Sequence, residues 1–155
     1  MDYLACGHPD VSYHGVKAWV PQFESFRRQL GVMYCGAYGT HPDGTKDDYL
    51  FVAYNMHWEP HEFALPNLPR GMEWRIVIDS SDDASGCIYT PEQERQMPEQ
   101  KKYMVGARTI IVCIGRPAPE TPADKQSARA ASQKKKNAEK TASEGEQQTC
   151  THLTT

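Results

Sequence analysis

The segment that most limits how this chain can fold is residues 49–55, Tyr-Leu-Phe-Val-Ala-Tyr-Asn. It is short and rich in aromatic and β-branched residues, so it predicts a strand. Leu50, Val52 and Tyr54 then face one way, and Tyr49, Phe51 and Ala53 the other. Both faces are apolar. A strand in a lone two-layer sandwich normally leaves one face to water. This strand is therefore expected to be covered on both sides, and the rest of the chain does not obviously supply the second cover.

Further strands are expected at residues 28–35, 61–65, 73–79, 103–105 and 108–114. In the last, Thr109, Ile111 and Cys113 oppose Ile110, Val112 and Ile114. Residues 49–55 and 61–65, joined by the turn Met56-His-Trp-Glu-Pro60, are expected to pair as a hairpin. Phe23, Phe26 and Leu30 have helical spacing after Pro21, which predicts a turn or short helix near 21–26 before the strand at 28–35. Residues 91–100 are charged and expected to be irregular. Short strands joined by turns, with no βαβ rhythm, predict an all-β fold, an antiparallel sandwich.

Composition changes abruptly after Gly115. From residue 116 to 155 there is no aromatic residue, and Leu153 is the only large aliphatic. Such a stretch cannot bury enough apolar surface to offset its ordering entropy, so 116–155 is expected to be a disordered, low-complexity tail. Its lysines at 134–136 are diluted by Glu139, Glu144 and Glu146. With 17 Lys+Arg against 20 Asp+Glu, the chain has no concentrated positive field, and no nucleic-acid partner is expected. No membrane partner is expected either: no apolar run is long enough to span a bilayer, and the first residues lack the pattern of a secretory signal. The five cysteines include no C-x-x-C pair, and three lie in or beside apolar stretches. Buried free thiols in a reducing, cytoplasmic setting account for them better than disulfides or zinc.

Four groups of residues invite a chemical reading. His57 and His61 are four apart with Glu59 between, which on a helix would present both rings to one metal ion. Pro60 argues against a helix there, so a turn is the expectation and no metal site. Asp79, Asp82 and Asp83 could supply paired carboxylates, but they lie at a strand end and in a Ser-rich loop. Ser12, His14 and Cys35 form no recognisable nucleophile motif. Trp19, Trp58 and Tyr54 could stack on sugar rings, although aromatics like these more often fill a β core; Trp58, on a predicted turn, is the best exception, and Trp58 and Trp19 are the candidate platforms. No catalytic residue is assigned.

Residues 10–36 (DVSYHGVKAWVPQFESFRRQLGVMYCG), 47–69 (DDYLFVAYNMHWEPHEFALPNLP), 72–81 (MEWRIVIDSS) and 107–115 (ARTIIVCIG) together resemble the C-terminal region of isoamylase- and pullulanase-type debranching enzymes of glycoside hydrolase family 13. The resemblance covers nearly all of residues 8–115 and none of the tail. It implies a sandwich of the alpha-amylase C-terminal type over 26–115, with 1–25 as the junction from a catalytic barrel. It also implies a parent enzyme that cleaves α-1,6 branches in glycogen, amylopectin or pullulan. The barrel and its catalytic acids have no counterpart here: such a barrel takes roughly 250 residues. The chain is then expected to be a fragment, inactive alone and without a cofactor. The missing barrel, supplied in trans, would cover the outer face of the 49–55 strand. A free-standing α-glucan-binding module and an interaction module for a non-carbohydrate partner are the alternatives.

Overall fold

The structure, a computed structural model, describes residues 1–84 and 86–119. Eight strands follow in order: β1 (Val11–His14), β2 (Gln29–Tyr34), β3 (Leu50–Asn55), β4 (His61–Ala64), β5 (Met72–Asp79), β6 (Arg95–Gln96), β7 (Lys102–Val105) and β8 (Thr109–Pro117). The single helical piece among the described residues is a 3-10 turn at Gly36–Tyr38. Every strand pair is antiparallel. Six strands form one sheet in the order β1-β2-β3-β8-β5-β6, and β4 pairs with β7 in a second sheet. The fold is an all-β sandwich, as the sequence predicts.

β3 lies inside the large sheet, between β2 and β8. Its alternation decides which side is the core. Tyr49, Phe51, Ala53 and Asn55 are buried, and Leu50, Val52 and Tyr54 are half-buried on the other face. The inner side chains meet Met33 and Cys35 from β2 and its end, Ile111 and Cys113 from β8, and Trp74 and Ile76 from β5. Phe63 of β4 and Val105 of β7 close the core from the second sheet, with Leu65, Tyr89 and Met97 filling in from the loops. Trp74 is pinned by its indole N–H, which donates to the Pro66 carbonyl at 2.8 Å. The Gln100 side chain bonds both the Trp74 N–H and its carbonyl, so a side-chain amide stands in for a strand neighbour.

The predicted hairpin between 49–55 and 61–65 does not form. Both edges of β3 are already occupied, so β4 crosses to the other layer and pairs with β7, His61 opposite Val105. Of the turn or short helix expected near 21–26, the turn forms: residues 25–26 turn, the Arg27 N–H donates to the Glu24 carbonyl at 2.8 Å, and β2 follows with Leu30 in it. Phe23 packs edge-on against Tyr13, ring centroids 5.8 Å apart. The stretch at 91–100 contains the two-residue strand β6.

The sheet also reaches beyond the expected limits of 26–115. β1 is hydrogen-bonded to β2 within residues assigned to the junction. β8 continues through Arg116, whose guanidinium bonds Glu94 at 2.7 Å and Asp48 at 3.2 Å. The remainder of the expected tail, from residue 120, lies outside the described residues. In β5 a bulge between Ile76 and Ile78 shifts the phase. Trp74 and Ile76 face the core, but Asp79 takes the next buried position in place of Ile78.

Candidate functional site

The outer face of the large sheet is the first candidate. Residues directly across a ladder share a face, and the register sets Tyr13, Val32, Val52, Val112 and Ile78 in one row over five strands. A neighbouring row holds Leu30, Tyr54 and Ile110. Outward positions of a free sandwich alternate to polar residues; in these two rows they remain apolar, while the same face turns charged at Glu73, Arg75 and Arg116 towards the other end of β5 and β8. Tyr13 is 50% exposed and Tyr34, on the same face, 45%. At one end a groove of about 590 Å³ is lined by Phe23, Arg27, Leu30, Tyr54 and Met56 among others. The doubly apolar strand expected from residues 49–55 is thus matched by apolar partners on β2 and β8, and by Tyr13 of β1 and Ile78 of β5 in one row.

The second candidate is the β3–β4 loop. Asn55 at the end of β3 is fully buried and organises it. Its side-chain amide donates to the carbonyls of Glu59 (2.9 Å), Val105 (3.2 Å) and Gly106 (2.7 Å), and its Oδ1 accepts from the His57 N–H at 3.2 Å. The His57 carbonyl in turn accepts the Arg108 N–H. This folding brings His57 and His61 together without a helix: His61 Nε2 lies 3.1 Å from His57 Nδ1. Ligand atoms of His57, Glu59 and His61 all fall within 4.8 Å of one another. The sequence argument from Pro60 is right about the helix, but it misses this juxtaposition. The usable signal was Asn55, a polar residue at a position where the strand's alternation demands burial.

Trp58 and Trp19 do not share a site of ring contacts. Trp58 is 62% exposed; its ring stacks on His57 at 4.0 Å, and the Arg28 guanidinium lies 5.8 Å from it. Trp19 packs on His14 and His8, at 4.9 and 5.9 Å. It has a positive φ of 63°, unusual for a bulky residue, and its N–H is held by His14 Nδ1 at 2.7 Å.

That bond decides the Ser12–His14 pair. Ser12 Oγ lies 2.9 Å from His14 Nε2, the spacing of a nucleophile and its base. However, Nδ1 is occupied as an acceptor, so in the neutral ring Nε2 carries the proton and donates to the serine. The ring cannot take a proton from Ser12 through that atom. Burial also lowers the His14 pKa from 6.5 to about 4. Cys35 is no activated nucleophile either, because burial pushes its thiol up and so reduces the thiolate. The loop acids are engaged locally. Asp79 Oδ1 accepts from the Ser81 N–H and hydroxyl, and Asp82 Oδ2 accepts from the Tyr89 hydroxyl (2.6 Å) and Arg95 (3.3 Å). Asp83 is exposed. This network fastens the β5–β6 loop.

Fold and side chains together define the class: an all-β, antiparallel sandwich domain with a broad apolar outer face. Residues 29–114, more than half of the chain, match the family model described as isoamylase, C-terminal. The chain belongs to the isoamylase C-terminal domain family. The match runs from the start of β2 into β8, leaving β1 outside it. No curated protein matches the chain.

Proposed function

We propose that this chain is the accessory β domain of a glycogen-debranching α-1,6-glucosidase of isoamylase or pullulanase type, packing on a catalytic barrel through the outer face of its six-stranded sheet. The observation that carries this reading is the apolar row Tyr13–Val32–Val52–Val112–Ile78. An apolar face of that breadth is a docking surface rather than a solvent face, and a family of enzyme C-terminal domains names the natural occupant. The chain's part is to cover and stabilise the barrel. Cys35 and Cys113, buried as free thiols, suit a reducing, cytoplasmic setting.

The test is a debranching assay on pullulan and amylopectin. It compares the chain alone, an isoamylase-type barrel stripped of its own C-terminal domain, and the two mixed. The expected result is no hydrolysis by the chain alone and a longer active lifetime of the barrel in the mixture. Hydrolysis by the pure chain, or a barrel indifferent to it, contradicts the proposal.

A second reading, an α-glucan-binding module, is supported by Trp58, whose exposed indole rests on His57. Exposed aromatic faces of this kind stack on sugar rings. Retardation in gels containing glycogen, amylopectin or pullulan, lost in Trp58→Ala, is the outcome that favours it.

A further inference from the structure

We propose that His57, Glu59 and His61 form a three-ligand site for a divalent transition-metal ion of the zinc class. The donor set is two imidazoles and one carboxylate, which suits zinc; calcium and magnesium prefer all-oxygen sites. Two nitrogens bound to one tetrahedral zinc at 2.0–2.1 Å stand about 3.3 Å apart. His57 Nδ1 and His61 Nε2 are already 3.1 Å apart.

His57 Nδ1 accepts the Glu59 N–H at 3.1 Å, so it is the unprotonated nitrogen of its ring, and the neighbouring His61 Nε2–H donates to it. An ion bound there takes over the lone pair from both donors: the Glu59 N–H turns to water on the exposed loop, His61 becomes the Nδ1–H tautomer, and both rings bind as neutral ligands. Glu59 is exposed and swings in by side-chain rotation, leaving a fourth position for water.

The frame is hydrogen-bonded in place before any ion arrives. Asn55 clamps the loop from below, the Arg108 N–H holds the His57 carbonyl, and His61 sits in the β4–β7 ladder. Trp58, stacked on His57, fixes that ring and shields one side. Such second-layer contacts orient the ligands of natural metal sites. This site is independent of the barrel reading and can stand or fall without it.

Isothermal titration of Zn²⁺ into the full chain, kept reduced, tests the proposal. The variants are His61→Gln, Glu59→Gln and, as a control for the separate thiol pair Cys6 and Cys35, whose sulfurs lie 3.8 Å apart, Cys6→Ser. The expected result is saturable binding whose affinity falls at least tenfold in His61→Gln and Glu59→Gln and is unchanged in Cys6→Ser. Zn²⁺ should also raise the Tm of the parent chain more than that of either ligand variant. The exposed position of Glu59 lets Glu59→Gln decide the matter if His61→Gln fails to fold. No Zn²⁺ uptake, or uptake unchanged in Glu59→Gln, overturns the proposal.

Discussion

Val52 and Val112 stand directly opposite each other on β3 and β8, at the centre of the six-stranded sheet, on the face turned away from the core. Their inward neighbours, Phe51 and Cys113, are also cross-strand partners and are buried. The same two strands therefore carry two apolar surfaces, one buried in the core and the other only half-buried at Val52 and Val112.

This difference predicts unequal responses to mutation. Val52→Lys, on the outer face, is expected to change the stability of the isolated domain by less than about 1 kcal/mol; because an uncovered apolar face favours association between copies, the parent domain is expected to self-associate and this variant to do so less. Ile111→Ala, one position along β8 and buried, is expected to cost about 2–5 kcal/mol through the cavity it leaves. Urea melts together with sedimentation velocity measure both.

His14 gives a pH signature. Its folded pKa, near 4, is depressed below the ordinary 6.5 by burial. The unfolded chain therefore binds the proton more readily. The contribution is complete above about pH 6.5 and is lost as pH falls toward about 4. From about pH 7.5 to pH 4.5 the loss from this one ring is about 2–3 kcal/mol. Urea melts of His14→Gln should show that much less acid dependence than the parent, whatever the variant's absolute stability.

Asn55 is expected to be the most sensitive polar residue of the β3–β4 loop. Asn55→Ala leaves the buried Val105 carbonyl and the Glu59 and Gly106 carbonyls without their donor. Each unsatisfied buried group costs about 1–3 kcal/mol, so a loss above about 2 kcal/mol in urea denaturation is expected. Amide exchange should also accelerate at His57 and Glu59.

Gly36 allows no side chain. A Cβ there would overlap the Asp47 carbonyl and crowd Asp48, backbone atoms that cannot swing away. Gly36→Ala is expected to lower stability by about 1–3 kcal/mol, as overpacking does, and a thermal melt measures it.

The strands were legible because alternation and burial are local properties. The two-faced run at 49–55 appears in the sequence as it does in the sheet, and so does the opposition of Ile111 and Cys113 to Ile110 and Val112. Pairing was less legible, because it depends on which edges remain free. Nothing in residues 56–60 says that β3 is already flanked by β2 and β8, so the hairpin seemed natural. The β5 bulge was hidden for a similar reason: it is set by the partner strand, and only the burial of Asp79 in place of Ile78 reveals it. Helical geometry is the wrong test for His57, Glu59 and His61, because a loop clamped by Asn55 achieves the same closeness. The Pro-bearing turn places Trp58 at the surface, but spacing does not reveal its stacking on His57.

The most direct test of the central claim is binding between this chain and an isoamylase-type catalytic barrel lacking its own C-terminal domain, measured for the parent chain and for Val112→Glu. The account predicts a one-to-one complex with the parent and at least a tenfold weaker one with Val112→Glu, the variant remaining folded by circular dichroism. A complex of undiminished strength with Val112→Glu, or no complex with the parent chain, contradicts it.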